Sequence, residues 1–260
     1  MIRMLLDKVR WRIARRLPVT TRRTFNHFAF SILHSDNLAS LAAAFGSDKH
    51  GSHFYAQHYQ TYFERLRKRK LNVLEIGIGG YENPQAGGES LRMWKAFFPH
   101  SEIYGIDIFD KSPHDEKRIR TFQCSQTDRD RLTGIISEIG GVDIIIDDGS
   151  HINQHVIETF GILFPLLNDG GIYAVEDTQS SYWENVHGIE WGGSKNLAAP
   201  HTLMNHFKRF VDGLNFEEFT MDNFAPSYLD RNITAMHFYH NLLFVCKGQN
   251  NEGSNFFGHR

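Results

Sequence analysis

Cysteine is nearly absent: of 260 residues only Cys124 and Cys246 are cysteines. Two isolated thiols cannot build a disulfide framework, and neither has the near neighbour that a zinc knuckle needs. A reducing, cytoplasmic setting is therefore expected. Long apolar runs are missing as well. No stretch approaches the ~18 residues of a membrane span, and no short apolar segment is followed by a small-residue cleavage site, so neither a span nor secretion is expected. The body of the chain also lacks excess positive charge. Eight of the 28 Lys/Arg but one of the 30 Asp/Glu fall in Met1–Arg23, leaving 20 basic and 29 acidic residues for the rest. A body of that sign argues against a broad nucleic-acid face, so no nucleic-acid partner is expected.

What is present suits one large α/β domain, with 41% hydrophobic residues available for a core. The expected division is a basic amphipathic segment over 1–36, a body over 37–247 and a polar tail over 248–260. In the first part Ile2, Leu5, Leu6, Val9 and Ile13 recur at helical spacing among arginines. Such a helix packs on the body, packs on another copy of the chain in a homo-oligomer, or rests on an anionic membrane as a peripheral contact.

Within the body the apolar pattern switches period. Asn37–Phe45 and Tyr55–Lys70 read as helices, the second closed by the basic cluster Arg67–Lys70. Leu71–Ile76, Glu102–Ile106, Val142–Ile146 and Gly171–Val175 are short runs rich in β-branched residues, as strands buried on both faces are. Helical stretches lie between them: Glu89–Phe98, Asp128–Ile139, and Gln154–Leu167 with its stripe of Val156, Phe160, Leu163 and Leu167. A Gly-rich loop, a helix over Pro200–Phe210 and a hairpin of Ala235–Tyr239 with Leu242–Lys247 follow. The alternation predicts a doubly wound, mostly parallel sheet of Rossmann-like type with an antiparallel C-terminal edge.

Chemistry concentrates where these strands end. The first closes on Glu75-Ile-Gly77-Ile-Gly79-Gly80, a turn that lets the backbone approach a ligand as closely for a dinucleotide as for S-adenosylmethionine. The second closes on Asp107, a hydrogen-bond acceptor for both ribose hydroxyls of an adenosine-containing cofactor. The third and fourth bring Asp147-Asp148 and Glu176-Asp177 to the same edge, with His151 just beyond. Four carboxylates in one cleft repel unless a cation lies among them, and hard oxygen donors select Mg²⁺, Mn²⁺ or Ca²⁺. A neutral imidazole beside them is suited to accept a proton from a polarised hydroxyl. His155 and the clusters His50/His53/His58 and His237/His240 lack further soft ligands and are read as packing.

Several strings then coincide in order: Leu74–Tyr81, Ser90-Leu-Arg-Met-Trp94, Tyr104–Lys111, Asp147–His151, Glu176–Trp183, together with Gly46-Ser-Asp-Lys49 and His237–Asn241. The chain from about Phe45 to Lys247 thereby resembles the macrolide sugar O-methyltransferases of the mycinamicin and tylosin type. The resemblance implies a class I methyltransferase fold with a doubly wound, mostly parallel seven-stranded sheet, S-adenosylmethionine, and Mg²⁺ (or Mn²⁺). Matched residue by residue, it implies metal ligation by Asp148, Glu176 and Asp177, a general base in His151, and cofactor contacts at Glu75, Gly77, Gly79, Ser90, Asp107, Gln126 and Asp147. It departs from the family at Ser125, often Asp, and at His50, usually Trp. The implied acceptor is a sugar hydroxyl of a natural product, glycolipid or glycan, with Tyr182 and Trp183 either stacking on the sugar or sealing the sheet edge. The rivals are a catechol-like acceptor, a nicotinamide oxidoreductase on the same fold, and a cofactor-binding partner protein without turnover.

Overall fold

The computed structural model describes residues 8–9, 11–16, 18 and 33–256. Of the expected N-terminal stripe, Ile2, Leu5 and Leu6 lie outside the described residues, while Val9 and Ile13 are exposed on helical backbone. Among the described residues no helix is long and apolar enough to cross a membrane.

Seven strands form one sheet: β1 (Asn72–Ile76), β2 (Glu102–Asp107), β3 (Ile119–Gln123), β4 (Val142–Asp147), β5 (Leu167–Glu176), β6 (Ile233–Tyr239) and β7 (Leu242–Lys247). Their order is β3-β2-β1-β4-β5-β7-β6, with β1 to β5 parallel and β7 antiparallel to both its neighbours. The antiparallel pairing thus lies at the C-terminal edge as expected, with β7 threaded between β5 and β6.

The continuous apolar runs divide by alternation, because successive side chains leave a strand on opposite faces. Val73, Ile144, Ile146 and Phe244 pack under α1 (Leu38–Phe45), α2 (Ala56–Phe63) and α3 (Glu89–Phe97). Leu74, Ile145, Leu243 and Val245 pack under α4 (Arg129–Ile139), α5 (Asn153–Leu163) and α6 (Leu203–Gly213). Caps set several helix starts. Asn37, Asp128 and Thr202 each accept a hydrogen bond from a first-turn amide.

The observed elements differ from the sequence pattern at four places. β3 escapes the pattern because an edge strand buries only part of itself: Ile119 and Phe122 are inside while Arg120 and Gln123 face water. α2 stops at Phe63 and tightens into a 3₁₀ turn ending at Leu66, so Arg67–Lys70 lie beyond it. Arg67 instead bonds Ser35 through its Nε and Nη2. α5 ends at Leu163, since Pro165 cannot continue it, and Leu167 opens β5 instead. α6 runs Leu203–Gly213 rather than Pro200–Phe210, its start set by the Thr202 cap. The Gly-rich loop contains a two-residue hairpin, Asn185–Val186 with Ile189–Glu190, turning on His187 and Gly188 at positive φ. Part of the tail is fastened to the body, Asn250 donating to the carbonyls of Gly213, Leu214 and Asp230.

Candidate active site

A cavity of about 750 Å³ opens at the carboxyl ends of the parallel strands, where doubly wound folds bind ligands. Gly77, Gly79, Ser90, Asp107 and Gln126 line it, together with Asp148, His151 and Asp177. The glycine turn is built for close approach. Gly77 has φ +86°, and a Cβ there would fall 2.0 Å from the Asp148 carbonyl oxygen. Asp107 is already oriented, its Oδ2 accepting from Ile78 N–H and its Oδ1 from Phe109 N–H, each at 2.9 Å. The Gln126 side chain bonds Ser150 N–H and Thr159 Oγ1. His155 also reaches the cavity wall, with its Nδ1 2.9 Å from Ser150 Oγ. These features fit an adenosine cofactor: a side-chain-free floor, a rigid carboxylate for ribose hydroxyls, and a wall of fixed polar groups.

The acidic doublets separate because strand alternation turns neighbouring residues to opposite sides. At the end of β4, Asp147 points into the core, receiving the Tyr173 hydroxyl at 3.0 Å, while Asp148 faces the cavity. At the end of β5, Glu176 is buried, and Asp177 just beyond it faces the cavity. Asp148, His151 and Asp177 each offer an atom within 4.8 Å of the others. His151 Nε2 lies 3.8 Å from Asp148 Oδ1 and 3.7 Å from Asp177 Oδ2, and its Nδ1 is buried without a hydrogen-bond partner. Both His151 and Asp177 hold left-handed backbone, at φ +55° and +53°. Such a conformation costs roughly 1–3 kcal/mol per non-glycine residue and persists where surroundings enforce it. The two carboxylates supply hard oxygen donors suited to a divalent cation such as Mg²⁺, and the imidazole beside them is suited to accept a proton.

Glu75, Asp147 and Glu176 do not line the cavity. Behind it lies Lys49, fully buried, with Nζ 2.8 Å from Asp148 Oδ2, 2.7 Å from Glu176 Oε1 and 3.2 Å from Glu75 Oε1. Burial works against its ammonium, but Asp148, Glu176 and Glu75 outweigh burial and hold its pKa well above the usual value. Glu176 is itself pushed up, by burial and by Asp148, because one ammonium cannot neutralise three carboxylates. Two tyrosines one helical turn apart complete the support: Tyr59 donates to Glu176 and Tyr55 to Asp177, both at 2.6 Å. Burial and these carboxylates keep both phenols protonated as donors. His53, stacked on Tyr55, brings Nδ1 to 3.8 Å from Asp177. Sequence reading left Lys49, His53, Tyr55 and Tyr59 without a role in the site, although Lys49 closes one of the family-like strings. Tyr182 and Trp183 do not line the cavity, and Trp183 packs edge-on against Trp191 at 5.6 Å.

Asp147 carries a pH signature. Burial pushes its carboxyl up to about 7 despite the Tyr173 hydrogen bond, whereas the unfolded chain titrates near 3.9. Between those values the folded protein keeps a proton that the unfolded chain has lost. Stability therefore falls as pH rises from about 4 to about 7, by at most roughly 4 kcal/mol. Asp147→Asn is expected to remove that part of the slope, which thermal unfolding at pH 5 and pH 8 measures. An unchanged difference between the two pH values contradicts the assignment.

No family model matches the chain. It is 44% identical over 220 residues to mycinamicin VI 2''-O-methyltransferase of Micromonospora griseorubida, covering 84% of this chain and 54% of the relative. It is 45% identical over 214 residues to 8-demethyl-8-alpha-L-rhamnosyl tetracenomycin-C 2'-O-methyltransferase of Streptomyces olivaceus, covering 82% and 55%. Its fold matches the crystal structure of MycE methyltransferase from the mycinamycin biosynthetic pathway in complex with Mg and SAH. There the TM-score is 0.80 at 43% identity, over 85% of this chain and 57% of the other. The chain spans about half the length of the curated relatives it matches.

Proposed function

We propose that this chain, which belongs by sequence and fold to the family of S-adenosylmethionine-dependent sugar O-methyltransferases, methylates a sugar hydroxyl of a natural product, glycolipid or glycan. The observation that carries this reading is the meeting of Asp148, His151 and Asp177 in the cavity that the glycine turn and Asp107 also line. S-adenosylmethionine supplies an activated methyl group, and Mg²⁺ or Mn²⁺ held by Asp148 and Asp177 supplies the polarisation that makes a sugar hydroxyl acidic enough to react. Glu176 would join that ligand set only by exchanging its Lys49 contact for the cation.

The chain's own residues do the remaining work. His151 Nε2, aimed at the two acids, accepts the proton of the reacting hydroxyl. Tyr55 fixes the rotamer of Asp177, and Lys49 and Tyr59 fix Asp148 and Glu176 from behind. Gly77 and Asp107 hold the adenosine end, with Gly79 and Ser90 on the adjoining wall. Glu75 and Asp147 act indirectly, Glu75 by accepting the Ser90 hydroxyl at 2.7 Å and Asp147 by anchoring the end of β4. The relatives' names, which specify sugar positions on mycinamicin and rhamnosyl tetracenomycin, favour a glycoside over a catechol acceptor.

Calorimetric titration tests the reading, with S-adenosylmethionine and separately NAD⁺, each in Mg²⁺ and in chelator. Saturable binding of S-adenosylmethionine alone is expected, followed by Mg²⁺-dependent methylation of glycosides. Binding of NAD⁺ alone would replace the reading with an oxidoreductase. Turnover on catechols but not glycosides would move the acceptor class, and cofactor binding without any turnover would favour a partner protein.

A further inference from the structure

Part of the cavity wall is the loop between β1 and α3. Gly79, Gly80, Tyr81 and Gly87 contribute to it, and Tyr81 stands 84% exposed on left-handed backbone at φ +47°. The loop folds back on itself through Asn83 N–H to Gly80 O, Ala86 N–H to Asn83 O and Gly88 N–H to Ile78 O. That path turns three backbone carbonyls toward one point. Lys111 fills it: only 1% exposed, it donates from Nζ to Tyr81 O at 2.8 Å, Asn83 O at 2.9 Å and Ala86 O at 3.2 Å. His114 Nε2 lies 3.2 Å from the same Ala86 carbonyl, and Arg92 donates to Gly87 O.

We propose that Lys111 is a positioning residue for cofactor binding, clamping the Tyr81–Gly88 loop into the shape that walls the cavity. Converging carbonyl dipoles repel one another unless a cation lies among them, and these partly buried carbonyls lose a charge-assisted donor when the ammonium is removed. Without the ammonium the loop opens to water and the walled conformation becomes one of several. Lys111 lies four residues after Asp107 on the same segment. The stretch that presents the ribose-facing carboxylate therefore also shapes the loop that walls the cavity, and the two keep a constant relation.

The inference rests on the cofactor reading, and its test separates the two. Lys247 provides a matched control: it is also buried, and caps the carbonyls of Phe164, Pro165 and Leu167 at the start of β5, the end of the sheet away from the cavity. Wild-type protein, Lys111→Met, Lys111→Arg and Lys247→Met are compared in binding of S-adenosylhomocysteine and in chymotryptic cleavage at Tyr81 without ligand. If the walled conformation falls to between one-tenth and one-hundredth of the population, the dissociation constant of Lys111→Met rises about 10- to 100-fold. Cleavage at Tyr81 accelerates in the same variant, while Lys247→Met changes neither readout. Lys111→Arg retains the charge and is expected to fall between wild type and Lys111→Met, which keeps a measurable variant if the methionine form does not fold. A Lys111→Met protein that binds as tightly as wild type, or an equal loss in Lys247→Met, overturns the clamp alone. Wild-type protein that binds no S-adenosylhomocysteine overturns the cofactor reading and the clamp together.

Discussion

Replacing His151 with alanine is expected to lower methyl transfer by roughly 10²–10⁴-fold, the usual worth of a positioned general base. An alcohol is a weak nucleophile until its proton has somewhere to go. In this cavity the imidazole Nε2 lies 3.7–3.8 Å from both cavity-facing acids. The left-handed backbone at His151 puts the ring there at a conformational cost, so alanine also relieves little of the strain while losing the base. Because the ring is not among the contacts proposed for adenosine, affinity for S-adenosylhomocysteine should be nearly unchanged and the loss should appear in kcat. Calorimetry beside steady-state rates separates the two. A His151→Ala protein with full turnover and intact fold removes His151 from the chemistry. A variant that loses cofactor affinity as well reassigns it to binding.

Lys49→Met is expected to be the most damaging single change to the fold near the site. Removing one partner of a buried ion pair typically costs about 3–5 kcal/mol, and here one ammonium serves Glu75, Asp148 and Glu176 together. Methionine fills much the same volume, so the loss is electrostatic rather than a cavity effect. For a domain of this size the midpoint of thermal unfolding should drop by roughly 6–20 °C. Divalent cation offers a second readout. With Lys49 gone the carboxylates are left in excess, and added Mg²⁺ should recover more stability in the variant than in wild type. A variant as stable as wild type would mean that the carboxylates already share protons and need no ammonium.

Much of this architecture was legible along the chain because it depends on local pattern. Apolar runs, a glycine turn and acids just past two strands are contiguous signals, and doubly wound connectivity carries them to a common edge. Helix ends were less legible. Pro165 and the Thr202 cap were present in the sequence, but helical periodicity alone runs past them. β3 was hidden because an edge strand needs only two inward residues, Ile119 and Phe122. The support of the site was not legible from local pattern, beyond the place of Lys49 at the end of one family-like string. Lys49 is 99 residues from Asp148 and 127 from Glu176, and Tyr55 is 122 from Asp177, so their meeting depends on α2 lying across the sheet.

By itself, then, the sequence determined the sheet, its carboxyl-edge cleft and the residue types delivered there, because strand alternation and turn chemistry are local properties. Only the tertiary structure decided which acids face the cavity and which are buried against Lys49, Tyr59 and Tyr173. Burial and hydrogen bonding of a carboxylate are set by the surfaces packed against it, and those surfaces come from distant parts of the chain.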